Sequence, residues 1–241
     1  MTLRLADTRV ASPSLVPELK LHLLTSESPH FHAADPDALG WPYWAVAWPG
    51  GQALARFLLD EPHHVRGKRV LDFGSGGGVV GLAAAKAGAA HVLCADVDPR
   101  AAEAAHANAT LNGGVVSATA WTSAFARGDE SSRDPCSPCV PGLASCATVL
   151  ETTTADLIGA PRGSWDVVVA GDVCFEPAFA ARVLAWLRAL AAEGCDVLLG
   201  DPRRVTLPED GLEVLASFEA PHDGDPRALT RWPTLVARVH P

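Results

Sequence analysis

The stretch Gly74-Ser75-Gly76-Gly77-Gly78 limits this chain more than any other feature. It follows directly on Arg69-Val70-Leu71-Asp72-Phe73, a run of buried-strand character, and it leads into an apolar helical pattern over residues 77–87. Glycines between a strand and a helix permit a tight turn and let a ligand approach the backbone closely. The free N–H groups of the first helical turn face the same place. In doubly wound sheets this carboxyl edge is where nucleotide-like ligands bind.

The rest of the chain repeats the pattern. Strands are expected at 91–95, 148–153, 165–170 and 196–200, with two closing strands near 212–219 and 234–240. Helices are expected at 50–59, 99–111 and 178–192, the first stopped by Glu61-Pro62 and the second opened by Pro99. Alternating leucines at 19, 21 and 23 predict a short strand in an N-terminal lead-in covering residues 1–48. Such alternation predicts one α/β domain over 1–241: a doubly wound, mainly parallel, seven-stranded sheet in an α/β/α sandwich. Residues 117–147, rich in Ser, Pro, Cys, Gly and Asp, break the rhythm and read as a loop insertion.

The carboxylates beside the glycines narrow the ligand. Gly76-x-Gly78-x-x-Gly81 formally matches the dinucleotide fingerprint, with Asp96 about 20 residues beyond. Asp72, however, stands ahead of the first glycine, where it would repel a pyrophosphate and suit a cation. S-adenosylmethionine carries an ammonium and a sulfonium and no phosphate. Asp96 at the end of the second strand of the alternation is placed to accept ribose hydroxyls. The methyl donor is therefore favoured over NAD.

Further pieces make the match closer. Pro42-Tyr43-Trp44-Ala45 and Trp48-Pro49-Gly50-Gly51-Gln52-Ala53-Leu54 precede the glycine strand, Gly171-Asp172-Val173-Cys174-Phe175-Glu176 follows a later one, and Gly200-Asp201-Pro202-Arg203 follows the next. In this order they resemble the electron transfer flavoprotein β-subunit lysine methyltransferases, a family of the Rossmann-like class I (seven-strand) methyltransferases. The resemblance runs from about Leu15 to Arg204, outside the insertion. It implies a protein-lysine N-methyltransferase with S-adenosylmethionine as cofactor. It places Asp72, Gly74 and Gly76 at the methionine end, Asp96 at the ribose, Asp156 at the adenine and Trp48 against the donor. Ser75, Gly78, Val97, Leu157 and Gly171 complete the expected donor site. Asp172 opens the family's Asp-x-x-Tyr motif, and Phe175 stands where the family usually has tyrosine. The implied partner is the electron transfer flavoprotein β subunit. A ribosomal protein (L11-type or L7/L12-type) or a small molecule as acceptor, and a non-catalytic donor-binding module, are the alternatives.

Tyr43, Trp44, Asp172, Phe175 and Glu176 are the expected catalytic group. A lysine nucleophile must lose a proton against a reference pKa of about 10.4; aromatic walls lower that value and hold the cation, and a carboxylate steers the ammonium and accepts its proton. The competing reading of Asp172 is an N-cap for the helix after Pro177.

Charge and cysteine usage exclude other classes. With 28 acidic and 19 basic side chains the net charge is −9, which argues against a broad phosphate-binding face and against a nucleic-acid partner. Six cysteines are too few and irregular for a disulfide scaffold. Cys136, Cys139 and Cys146 lack a His or fourth Cys in the same loop, so no metal site is expected. Cys94, Cys174 and Cys195 are expected in or beside buried strands, and His30, His32, His63 and His64 in solvent. No signal-peptide pattern and no apolar run of about 18–20 residues is present. A monomer without membrane association is expected, cytoplasmic rather than in the mitochondrial matrix.

Overall fold

The computed structural model of the chain describes residues 4–32, 41–116, 148–208, 210–224 and 230–241. The expected insertion at 117–147 and its three cysteines lie outside the described residues. In the lead-in, β1 (Arg9–Ala11) and β2 (Leu21–Leu23) form a small antiparallel pair, followed by the single turn α1 (Pro29–His32).

The main sheet is built from β3 (Arg69–Phe73), β4 (His91–Ala95), β5 (Val115–Val116), β6 (Val149–Thr153), β7 (Val167–Gly171), β8 (Asp196–Asp201), β9 (Leu212–Ala220) and β10 (Trp232–Val239). Its order is β5-β6-β4-β3-β7-β8-β10-β9, parallel except for β10, which runs antiparallel to both neighbours. The seven expected strands are all present, and the two-residue β5 adds an eighth at the edge. From β3 the chain steps outward through β4, then returns to place β7 on the other side of β3. The sheet therefore changes winding direction at β3, and a crevice opens beyond the carboxyl ends of β3, β4 and β7.

The helices are α2 (Pro49–Asp60), α3 (Val79–Lys86), α4 (Pro99–Leu111) and α5 (Pro177–Ala192). Successive strand residues face opposite sides of the sheet. Val70, Val92 and Val169 pack with Leu54 and Leu58 of α2 and Leu82 of α3, whereas Leu71, Leu93 and Val168 pack with Val183 and Leu187 of α5. All of these side chains are buried. Prolines open α2, α4 and α5, where the missing N–H is not needed.

Two fully buried amides tie the lead-in to the sheet layer. Asn108 of α4 accepts from His22 N (2.8 Å) and donates to the Gly77 carbonyl (2.8 Å). Gln52 of α2 accepts from Leu15 N (3.2 Å) and donates to the carbonyls of Ala47 and Pro221 (each 2.8 Å).

Two histidines expected in solvent are buried. His30 packs edge-on against Phe31 and Trp41, with ring centroids 5.4 and 4.9 Å away. His64 lies against Phe57 at 4.9 Å and 3.7 Å from Asp196. Tertiary packing decides their burial, and adjacent residues carry no signal of it.

The first turn of α2 is seated end-on against β7 and β8. A Cβ on Gly50 would overlap the Gly200 carbonyl oxygen and stand 2.7 Å from Asp172 Oδ2, and one on Gly171 would be 2.8 Å from the Gly51 Cα. Only glycine backbones cross at this separation. Gly50→Ala is expected to lower stability by about 2–4 kcal/mol, since backbone rather than a flexible side chain would have to move; a denaturant titration should show a lower midpoint at unchanged slope.

Candidate active site

Two helices reach the crevice without a side-chain cap of their own, α2 after Trp48 and α3 after Gly78. Their N–H groups are met by carboxylates from strand ends instead. Asp72, in β3, accepts from Gly81 N in the first turn of α3 at 2.8 Å. Asp172, just after β7, accepts from Gly51 N in the first turn of α2 at 2.7 Å. Each carboxylate thus satisfies an orphan donor and sits at the positive end of a helix dipole.

The glycine run follows Asp72. Gly74, Gly76 and Gly78 have φ of 66, 50 and 81°, the left-handed region that glycine adopts without strain. The loop is held by Asp96, whose carboxylate accepts from Gly76 N and from Asp98 N, each at 2.9 Å. Asp98 caps α4 by accepting from Arg100 N at 2.9 Å.

Above this floor lies a cleft of about 420 Å³. Of the residues singled out in the sequence, Tyr43, Trp44, Trp48, Gly74, Gly76, Asp96, Val97, Asp156, Gly171, Asp172 and Phe175 line it. Asp72 and Ser75 line a smaller chamber behind the glycine loop, which shares Gly74, Gly76 and Asp172 with the cleft. The structure thus brings together residues that are far apart in sequence.

Three expected site residues lie outside both cavities. Gly78 ends the loop against α4, where an added Cβ would be 3.1 Å from the Ala105 side chain. Leu157 is turned into the apolar layer under α5, 6% exposed. Glu176 is the N-cap of α5, accepting from Ala178 N (3.0 Å) and Phe179 N (2.7 Å), and these bonds hold its carboxyl below the ordinary value. The cap proposed for Asp172 at α5 is therefore made by Glu176, and Asp172 caps a helix distant in sequence.

One side of the cleft carries an aromatic stack. Tyr43 lies parallel to Phe175 at 6.3 Å and to Trp48 at 5.8 Å, and Phe175 meets Phe179 at 5.2 Å. Tyr43 and Phe175 are nonetheless more than half exposed, 59% and 58%, so the stack stays accessible from solvent.

Burial raises the carboxyls of Asp72, Asp96 and Asp172. Burial pushes the Asp72 carboxyl up to about 7, despite the Gly81 N–H, and nearby Asp96 adds to the rise. Burial also raises Asp96, against the N–H groups of Asp98 and Gly76. Asp172 is raised to about 6 by burial, opposed by Arg204 and Gly51 N. Arg204 lies 2.9 Å from Asp172 Oδ1 and 2.9 Å from Asp201 Oδ2. Sequence reading missed Arg204, Arg182, Val173 and Ile158, all lining the cleft. The only local signal for Arg204 is its place three residues after an Asp that ends a buried strand. Among the described residues no group of His, Cys, Asp and Glu could hold a metal ion, and Cys94, Cys174 and Cys195 are free and buried. No helix among the described residues is long and apolar enough to cross a membrane.

A glycine-lined floor, buried carboxylates that favour a cation, and an open aromatic wall fit S-adenosylmethionine better than a phosphate-bearing dinucleotide. Comparison with known proteins agrees. The family model described as ribosomal protein L11 methyltransferase matches residues 53–130. A protein of Pyrococcus horikoshii solved as a candidate RNA methyltransferase superposes with a TM-score of 0.52 at 15% identity, covering 79% of this chain and 82% of that one; it shows the fold. The electron transfer flavoprotein beta subunit lysine methyltransferase of Xenopus laevis is 37% identical over 203 residues, 83% of this chain and 69% of that protein. That of Rattus norvegicus is 36% identical over 196 residues, 80% of this chain and 64% of that protein. The Caenorhabditis elegans homolog is 31% identical over 237 residues, 97% of this chain and 88% of that protein. With its strand order, its glycine loop and its two strand-end carboxylates accounted for, the chain belongs to the electron transfer flavoprotein beta subunit lysine methyltransferase family.

Proposed function

We propose that this protein is an S-adenosylmethionine-dependent lysine N-methyltransferase whose acceptor is the electron transfer flavoprotein β subunit. What supports this reading is one cleft whose lining holds Gly74, Gly76, Asp96 and Asp156 together with the Tyr43–Phe175 stack and Asp172. The first four have the chemistry of a donor site, and the stack with Asp172 that of an acceptor site.

Asp72 and the glycine loop would hold the amino-acid end of the donor, Asp96 the ribose hydroxyls and Asp156 the adenine amino group. The donor supplies a methyl group activated on a sulfonium. The chain's own contribution is alignment and exclusion of water, which provides much of the rate in a displacement of this kind. Tyr43 and Phe175 would offer the exposed part of their stack to the acceptor side chain. Exclusion of water as the acceptor docks would bring a lysine amine below its reference pKa of about 10.4. Asp172 would draw the ammonium in and accept its proton, directly or through water. At Phe175, where the family usually has tyrosine, the contribution is the ring face alone.

The ribosomal L11 reading rests on residues 53–130 and on a match of 55% identity over 47 residues to the enzyme of Aeromonas salmonicida, only 20% of this chain. That region contains β3, α3, β4 and α4, the donor side, so it supports a shared donor and not a shared acceptor. Incubating the purified protein with S-adenosylmethionine and each candidate acceptor, followed by intact-mass measurement, tests the substrate. Methyl additions on the flavoprotein subunit are expected. Additions on L11 alone would overturn the acceptor, and donor binding without transfer to either would favour a non-catalytic module.

Asp172→Asn keeps an acceptor for Gly51 N but loses the charge. It is expected to leave donor affinity within about threefold and to lower kcat/KM by about 100-fold or more, measured by calorimetry and initial rates.

Asp72 generates a pH dependence. Its value in the folded protein, about 7, lies above the ordinary 3.8, so ionising it opposes folding, and the penalty grows as pH rises from about 4 through 7. A cation bound beside it relieves that penalty. Affinity for the donor is therefore expected to rise between pH 6 and 8 with proton release. Asp72→Asn should bind more weakly and show a flat profile, as followed by calorimetry in buffers of different ionisation enthalpy.

A further inference from the structure

Arg204 has no role in the reading above, yet its guanidinium joins the two carboxylates beside the acceptor side of the cleft. It lies 2.9 Å from Asp172 Oδ1 and 2.9 Å from Asp201 Oδ2, and Asp201 Oδ1 also accepts from Arg204 N at 2.7 Å. The Asp201 side chain is 0% exposed and that of Asp172 8%. Asp172 and Arg204 line the cleft, with Asp201 behind them. The other neighbours of Asp172 are neutral: the Gly51 N–H from α2, and the Cys174 thiol, which burial pushes up to about 12. Two carboxylates and one guanidinium leave a single negative charge in a place poor in water.

Without the guanidinium, two buried carboxylates this close would share a proton. A planar fork that reaches both at once holds them apart in charge and in orientation. We propose that Arg204 is a positioning residue of the acceptor site: by bridging Asp172 and Asp201 it keeps Asp172 ionised, so that the cluster meets one cationic side chain with one net charge. This rests on the reading of the cleft as a lysine-acceptor site.

The test combines a titration that needs no acceptor with a kinetic one that does. In protein labelled with carboxyl-¹³C aspartate, the Asp172 signal is assigned by its loss in Asp172→Asn. Its midpoint should move up by at least about one pH unit in Arg204→Met, return most of the way in Arg204→Lys, and move down in Asp201→Asn. The acid limb of kcat/KM for the protein acceptor should move in the same opposite directions, with donor affinity within about threefold of wild type. If Arg204→Met does not fold, Asp201→Asn carries the test, with the Asp172 midpoint and the acid limb both expected to move down. An Asp172 midpoint unmoved in all variants, or moved one way by both charge removals, would overturn the proposal. So would a titration that shifts while the kinetic limb stays in place. Failure of the unmutated protein to methylate any lysine, with the titrations as expected, would overturn the acceptor reading instead.

Discussion

Helices α2 and α3 begin without a capping side chain, and their first-turn N–H groups face the interior of the protein. An uncompensated donor there costs about 1–3 kcal/mol. Asp172 and Asp72 answer them from the ends of β7 and β3, at 2.7 and 2.8 Å. The glycines follow from this arrangement. Gly50, Gly171 and Gly200 carry no side chain because the first turn of α2 comes into backbone contact with the ends of β7 and β8. The residues that shape the cleft are in this way the residues that hold two helices onto the sheet, and chemistry and fold cannot be varied independently at these positions.

The two carboxylates nevertheless differ. Among the described residues Asp72 has a backbone donor and a like-charged neighbour, and burial carries it to about 7. Asp172 has a guanidinium at 2.9 Å and stays nearer 6. A group poised near neutrality responds to a bound cation, whereas a group whose charge is already answered can hold orientation over a wider range of pH. Among the described residues an arginine stands against Asp172 and none pairs with Asp72.

Much of this was legible in the sequence, for local reasons. Strand–helix alternation is marked by Pro49, Pro99 and Pro177 at helix starts and by the glycine run after β3, and each mark acts within a few residues of where it stands. The eleven expected residues that line the cleft are those tied to strand ends and to the aromatic pieces. What could not be read depends on contacts between distant parts. Asp172 bonds Gly51, 121 residues away, so its capping role pointed to the wrong helix while Glu176, beside Pro177, took the nearer one. Leu157 follows Asp156 directly, yet its side chain turns to the opposite, apolar side. His30 and His64 read as solvated because nothing in their own neighbourhood in the chain reveals Trp41 or Phe57 packing over them.

Only two non-glycine residues among those described have positive φ, Asp172 at 60° and Arg203 at 56°. They follow the neighbouring strands β7 and β8; one is the acidic member of the Asp172–Arg204 pair and the other precedes its basic member. A side chain in that region costs about 1–2 kcal/mol, somewhat less for aspartate. Arg203 is thus a site where the chain stores backbone strain. Glycine at 203 would relax it and raise the melting temperature, but would also loosen the turn from which Arg204 reaches across to β7. Backbone ease and the alignment of a single charged side chain are set against each other within one tight turn.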